Sequence, residues 1–263
     1  MEINKIYNEN CMDTMAKMPD GFIDSTITSP PYGNLRDYMG GFSFEVCDFE
    51  DIAKELYRVT TPGGTAIWVV ADETKDFCES LVSFEQAIYF CKVCGFNLLD
   101  TMIYHKSNYA PAYPNLRRYA STFEYMFVFS KGRPKTFNPI QHEKATLSTK
   151  QRIGKYRMRD GSFVVKNMVV DTGRTTKDAE NVWTICPTKS KDAGNHPAVS
   201  PEQLVRDHIL SWTNKGELIY DPFMGSGTTG KMAVLSGRNF IGSEISKDYC
   251  ILAEKRIADA IIK

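Results

Sequence analysis

Long apolar runs, histidine and net charge are all scarce in this chain of 263 residues, and each shortage removes a class of function. No apolar run approaches the roughly 20 residues that a bilayer-crossing helix requires, and no cationic leader with an apolar core opens the sequence, so a soluble, unsecreted, cytoplasmic protein is expected. The seven cysteines (Cys11, Cys47, Cys78, Cys91, Cys94, Cys186, Cys250) are odd in number, scattered and mostly set in apolar surroundings. That usage suits reduced thiols and not a disulfide framework. Cys91-Lys-Val-Cys94 is the one C-x-x-C, and without a second pair at metal spacing or a neighbouring histidine it argues against zinc; no metal is expected. Lys plus Arg and Asp plus Glu both total 32, so the overall balance names no anionic partner.

The distribution of charge says more. Between Lys131 and Lys177 twelve basic side chains stand against three acidic ones, a net +9 that leaves −9 for the remainder. A concentrated positive segment on an acidic body suits contact with a phosphate backbone, because counterion release scales with the cations that reach phosphates. A solvated basic loop has the same composition.

Residue order points to alternating strands and helices. Phe22–Thr28 is β-rich and stops at Ser29-Pro30-Pro31, since adjacent prolines cannot continue a strand ladder. Phe49–Val59 has helical spacing at Ile52, Leu56 and Val59, and Pro62-Gly63-Gly64 breaks it before an apolar strand over Thr65–Ala71. A helix over Phe84–Cys94 and strands over Phe96–Tyr104 and Phe123–Phe129 follow. From Ser130 to about Asn181 the pattern weakens, with only Phe163–Val170 strand-like. Order resumes with a helix over Pro201–Trp212 capped by Ser200, a strand over Glu217–Tyr220, a helix over Thr228–Ser236, a strand over Asn239–Ile245 and a helix over Lys247–Ile261. This alternation predicts an α/β fold: a single three-layer, doubly wound, mainly parallel sheet. The expected organisation is 1–130 as one half of the α/β domain, 131–181 as an inserted basic recognition segment, and 182–263 as the other half.

Two motifs carry chemistry. In Leu218–Thr229 an apolar strand ends at Asp221, and Gly225 and Gly227 remove side chains where the chain must turn and a ligand must come close. Lys231 is displaced from the spacing of a triphosphate-binding loop, which disfavours a nucleoside triphosphate. Downstream, Phe240-Ile-Gly-Ser-Glu244 puts a carboxylate at the end of the next strand, where it can accept from a ribose diol. A dinucleotide site has the same look in this half alone. The other motif, Thr28-Ser-Pro-Pro-Tyr32, can hold an exocyclic amino group against an aromatic face. Together they point to methyl transfer onto a nucleic-acid base.

Asn10-Cys11, Thr28–Tyr32, Phe123–Lys131, Asn181-Val-Trp183, His196–Pro201, Asp221–Thr229 and Phe240–Ile245, in this order and spacing, resemble the S-adenosylmethionine-dependent amino-methyltransferases of DNA. The arrangement is the β one, in which the catalytic tetrapeptide precedes the glycine loop. The resemblance covers nearly the whole chain outside Lys131–Asn181 and implies a methyltransferase-like Rossmann fold. It also implies that Asp221, Pro222, Phe223, Gly225, Ser226, Gly227 and Thr228 hold the methionine part of the cofactor and Glu244 the ribose hydroxyls. The His196–Pro201 stretch, with His196, Pro197 and Ala198, would lie on the methionine carboxylate side, with Asn10 and Cys11 bordering the adenine. Relatives commonly carry an acidic residue where this chain has Asn10.

An aromatic amine is a poor nucleophile because its lone pair is delocalised into the ring, so catalysis must localise that pair. The Ser29 hydroxyl and Pro30 carbonyl can take the two N–H hydrogens while Tyr32 stacks on the base. Pro31 offers no competing N–H. Since the amine lies inside a duplex, the base must be extruded. Carbon-5 methylation of cytosine would need a cysteine nucleophile, and none lies in or beside this motif. By resemblance, Ser in the first position and the following Gly33–Tyr38 favour cytosine N4 over adenine N6; the physics of the acceptors serves either amine. A non-catalytic nucleic-acid-binding module on the same fold is the alternative from another class. Double-stranded DNA is the expected partner, with Arg36, Arg117 and Arg118, for which surface salt bridging is the alternative, and Lys150, Arg152, Lys155, Arg157 and Arg159 of the basic segment as candidate contacts. A companion restriction nuclease, and monomer or homodimer, stay open.

Overall fold

The computed structural model describes residues 1–31, 46–108, 118–143, 152–168, 176–187, 190, 192–194 and 198–262. They form two compact units, one of residues 1–138 with 181–263 and one of 139–180. In chain order the first unit begins with β1 (Lys5–Tyr7), α1 (Cys11–Ala16), β2 (Ile23–Thr28), α2 (Val46–Val59), β3 (Thr60–Val70), the short hairpin of β4 (Thr74–Lys75) and β5 (Cys78–Glu79), and α3 (Val82–Tyr89). A π-helical turn over Phe90–Cys94 leads to β6 (Asn97–Lys106) and β7 (Phe123–Ser130). The second unit contains β8 (Gln141–Glu143), β9 (Arg152–Arg157), β10 (Phe163–Met168) and β11 (Thr176–Asp178). The first unit resumes with β12 (Val182–Ile185), α4 (Glu202–Trp212), β13 (Leu218–Asp221), α5 (Thr228–Leu235), β14 (Asn239–Ser243) and α6 (Lys247–Ile261).

Eight strands of the first unit form one sheet in the order β1-β14-β13-β2-β3-β7-β6-β12. Only β7 runs against its neighbours; every other pairing in this sheet is parallel. The mainly parallel, doubly wound sheet expected from the sequence is the one observed, and its strands show why. Successive side chains alternate between two cores: Ile67 and Val69 of β3 and Met126 and Val128 of β7 face one side, with Leu204, Val205, Met232, Ala233, Ala253 and Ile257 of α4, α5 and α6. Ala66, Trp68 and Val70, with Phe127 and Phe129, face the other, where Met15, Ile52, Leu56 and Phe90 close it. Strands buried on both faces must be apolar throughout, which is the pattern of Thr65–Ala71.

Local differences from the sequence reading have physical causes. Pro62-Gly63-Gly64 does not separate helix from strand: β3 begins at Thr60, which pairs with Ile23, and the ladder then jumps to Ser25 opposite Thr65. The proline and glycines form a bulge, and at Gly64 a Cβ would fall 2.7 Å from the Asp24 carbonyl oxygen. Ser200 does not cap α4; Pro201 occupies the cap position, with no side-chain hydrogen bond there. Lys131 and Lys135 belong to the first unit. Lys131 Nζ donates to the carbonyls of Tyr57 and Thr60 at the end of α2, and Lys135 pairs with Asp24 and Glu217.

In the second unit β9 and β10 form an antiparallel ribbon, with Lys155 opposite Val165 and Arg157 opposite Phe163. Asp160 Oδ1 accepts from the Ser162 N–H at 2.9 Å in its connection, where Gly161 has φ +85°.

Candidate active site

Adjacent parallel strands carry the two motifs. β2 and β13 pair with Ser25 opposite Ile219 and Thr26 opposite Tyr220, so Ser29-Pro-Pro and the glycine turn leave the sheet side by side at the strands' carboxyl ends. From there the chain enters opposite faces, α2 in one core and α5 in the other. Such a reversal leaves a crevice between the first turns of two helices. Thr28 Oγ1 donates to Asp221 Oδ1 at 2.7 Å and joins the two corners directly. The same oxygen accepts from the Phe223 N–H at 3.0 Å, which starts the turn. Burial raises the Asp221 carboxyl above its ordinary range, partly offset by hydrogen bonds from Thr28, Thr229 and the Phe223 N–H.

The turn uses its glycines differently. Gly225 has φ +51° and lines the cavity described below. Gly227, at φ +80°, precedes α5, and a Cβ there would come within 2.6 Å of Ala253 Cβ, so its missing side chain serves the packing of α5 on α6. A third glycine, Gly242 in β14, admits Met224, whose side chain fills the place where a Cβ would stand.

Glu244 follows β14 directly. Its Oε2 accepts from the Gly225 N–H and its Oε1 from the Ser246 N–H, each at 2.8 Å. Burial raises this carboxyl, against the lowering effect of those two backbone donors. Each oxygen keeps lone-pair capacity for a further donor. On the adjoining loop Asn10 caps α1, its Oδ1 accepting from the Met12 N–H at 2.9 Å.

These elements enclose a cavity of about 310 Å³. Of the predicted residues, Ser29 and Pro31 line it from one corner, and Asp221, Pro222, Phe223, Gly225, Ser226 and Thr228 from the other. Asn10, Cys11, Ala198 and Glu244 complete that set. Pro30 is buried and, like Gly227, is not in the wall. Tyr32, Arg36, Arg117, Lys150, His196 and Pro197 lie outside the described residues. Arg118 belongs to the first unit, hydrogen-bonded to Thr74 and 3.5 Å from Glu79. Lys155, Arg157 and Arg159 are exposed on the second unit, and Arg152 opens β9.

Sequence reasoning missed Glu9, Asp51, Ser243, Ser246 and Tyr249 in the wall, whereas Ser200 belongs to the His196–Pro201 stretch expected beside the cofactor. Ser246 was legible as the residue before a helical pattern: it caps α6, accepting from the Tyr249 N–H at 3.4 Å. Glu9 carried no such signal, because α1 spans only 6 residues. Its carboxylate accepts from Lys17 and Thr14, and the Lys17 hydrogen bond holds it below the ordinary range despite burial.

The electrostatics narrow the ligand. Glu9, Asp51, Asp221 and Glu244 line the cavity, with no lysine or arginine among the described lining residues. A wall of carboxylates attracts a cation and repels a polyphosphate, so this crevice suits a nucleoside carrying positive charge and not a dinucleotide or a triphosphate.

The DNA methylase family model matches residues 23–255. The chain belongs to the DNA methylase family, the N6/N4 amino-methyltransferases. The orphan methyltransferase M.BamHII of Bacillus amyloliquefaciens is 48% identical over 253 residues, covering 92% of this chain and 91% of that relative. Among solved structures, PvuII DNA methyltransferase (cytosine-N4-specific) superposes with a TM-score of 0.69 at 18% identity, covering 97% of this chain and 90% of that one. A putative DNA modification methylase of Thermus thermophilus, TTHA0409, solved in complex with S-adenosyl-L-methionine, gives a TM-score of 0.64 at 21% identity, covering 98% of this chain and 95% of that one. These two share its fold. As a member of the family the protein is a DNA methyltransferase, and its methyl donor is S-adenosylmethionine. Among the described residues no helix is long and apolar enough to cross a membrane.

Proposed function

We propose that this DNA methyltransferase modifies cytosine N4 in double-stranded DNA within the bacterial cytoplasm, on a base turned out of the helix toward Ser29. The observation that carries the reading is the shared cavity: the end of β2 and the glycine turn after β13 line one crevice, tied by the Thr28–Asp221 hydrogen bond. The residues present fit the cofactor. Carboxylates suit its positive charge, Gly225 brings no side chain into the wall, and Glu244 retains acceptor capacity for a ribose diol. The Asp221–Thr228 turn would take the methionine part, Glu244 the ribose, residues 196–198 the carboxylate side, and Asn10 with Cys11 the adenine border.

When bound, S-adenosylmethionine supplies an electrophilic methyl group on a sulfonium. The protein's task is to present the amine. Ser29 Oγ and the Pro30 carbonyl would accept its two N–H hydrogens, drawing the nitrogen toward tetrahedral geometry and concentrating its lone pair. Tyr32 would hold the plane of the base. Extrusion exposes the amine and fills the crevice, which excludes water.

Cytosine is favoured by Ser29 in the first motif position, and the cytosine-N4-specific PvuII enzyme shares the fold. For the DNA contact, Lys155 and Arg157 lie on one face of the exposed β9–β10 ribbon, with Tyr156 on the other. A two-stranded ribbon fits the major groove. Digestion of methylated DNA to nucleosides followed by mass spectrometry tests the base assignment. N4-methylcytosine is expected; N6-methyladenine alone would overturn the choice of base.

A further inference from the structure

Lys231 has no place in a phosphate loop, and its partners reveal what it does instead. Its Nζ lies 2.6 Å from Asp192 Oδ2 and 2.7 Å from Glu202 Oε1. Arg256 of α6, with its side chain 2% exposed, reaches the same two carboxylates: Nη2 is 3.0 Å from Asp192 Oδ1 and 3.3 Å from Glu202 Oε1. Nη1 serves the glycine turn, donating to the Ser226 carbonyl at 2.6 Å and approaching Ser226 Oγ at 3.1 Å and Thr228 Oγ1 at 3.3 Å. Ser226 and Thr228 line the cavity, as do Ala198 and Ser200 from the stretch between Asp192 and Glu202. Two cations, one from α5 and one from α6, thus bridge Asp192 and Glu202, and Arg256 joins both to the glycine turn. Neither cation is in the cavity wall.

A network of this kind is a poor device for stability alone. Burying a guanidinium carries a large desolvation cost, and apolar packing often stabilises as well. What paired charges with directional donors supply is a single geometry. Arginine's planar fork holds its donors in fixed directions toward two carboxylates and a carbonyl, whereas lysine's three donors rotate about one nitrogen. Burial works to raise the Asp192 carboxyl, and hydrogen bonds from Lys231, Ser190 and Arg256 outweigh it, holding the group well below its usual range.

We propose that Arg256 is a positioning residue for the cofactor: it holds Asp192 and Glu202 against the Ser226–Thr228 turn, and through that arrangement sets the affinity for S-adenosylmethionine. The inference rests on the cavity being the cofactor site.

Calorimetric titration of the full-length protein with S-adenosylmethionine, beside thermal unfolding and steady-state kinetics, tests it in Arg256→Gln, Arg256→Lys and Glu244→Ala. For Arg256→Gln, below its unfolding temperature, Kd and KM for the cofactor should rise about ten-fold or more, the equivalent of one 1.4 kcal/mol step. Its kcat at saturating cofactor should fall less than its KM rises, and Arg256→Lys should recover part of the affinity. A folded Arg256→Gln protein with wild-type Kd and only a lowered Tm would overturn the proposal. Should that variant not fold, Asp192→Asn loosens one end at a carboxylate whose side chain is 40% exposed. Its Kd should rise in the same direction, and an unchanged Kd there would overturn the proposal equally. Wild-type affinity in Glu244→Ala would show instead that the cavity is not the cofactor's. Weakened affinity in Glu244→Ala with none lost in Arg256→Gln would remove Arg256 alone.

Discussion

Ser29 and Asp221 divide the work of the site at the scale of single residues. Ser29 lines the cavity at the end of β2. Replacement by alanine removes one of the two proposed acceptors for the amine without touching the glycine turn. We expect Ser29→Ala to lower kcat by about 10²- to 10³-fold, the usual cost of one oriented polar group at a reacting centre. Its Kd for S-adenosylmethionine should stay at the wild-type value; a labelled-methyl assay and calorimetry check the two halves, and a wild-type rate would remove Ser29 from the mechanism. Asp221 predicts the opposite trade. Its carboxyl is raised by burial, so the folded protein binds this proton more readily than the unfolded chain, and its contribution to stability declines as pH rises above the ordinary value of 3.8. An amide oxygen can accept from Thr28 and the Phe223 N–H without that charge. Asp221→Asn should therefore keep or raise Tm at pH 8 relative to wild type, and weaken cofactor binding through the lost negative charge. A Tm several degrees below wild type at pH 8 would contradict the stability half.

Elements respond to geometry that single residues do not reveal. Gly227 and Gly216 have nearly the same backbone, at φ +80° and +82°, yet a Cβ at Gly227 meets Ala253 while nothing lies within 4 Å at Gly216. Alanine at either position costs about 1–2 kcal/mol of left-handed strain. Gly227→Ala adds a clash between α5 and α6, so its loss of Tm should exceed that of Gly216→Ala severalfold. Equal losses would show that α6 yields without cost. The elements also mark how far sequence punctuation can be trusted. Helix α6 lies where its pattern put it, over Lys247–Ile261, because capping and periodicity agree. Pro62-Gly-Gly64 misleads, because the same residues that end strands also make bulges, and only the partner strand distinguishes them. Strand β1, 3 residues long, and helix α1, 6 residues long, are too short for any period to be seen.

Across the whole molecule, charge is distributed between binding and architecture. Lys131 and Lys135 contribute to the basic count of the 131–177 stretch, but they are engaged with α2 and with Asp24 and Glu217. The exposed cations Lys155 and Arg157 stand on the second unit. If they meet phosphates or base edges, Lys155→Gln and Arg157→Gln should each weaken duplex binding. The log–log dependence of binding on salt should flatten by about 0.9 in slope for every phosphate that is no longer neutralised. Cofactor affinity should not change. Unaltered DNA binding and salt slope in the double variant would take the ribbon out of the interface.

The sequence by itself determined the α/β alternation, the two motif corners and the absence of a phosphate-loop lysine, because strand ends, glycines and prolines are local features set by backbone sterics. Only the tertiary structure decided that β2 and β13 are neighbours, that their corners share one acid-lined cavity, that Gly227 serves helix packing, and that Arg256 and Lys231 join Asp192 to Glu202. Those facts depend on which distant segments meet, and burial and partner choice at such meeting points leave no periodic trace in the chain.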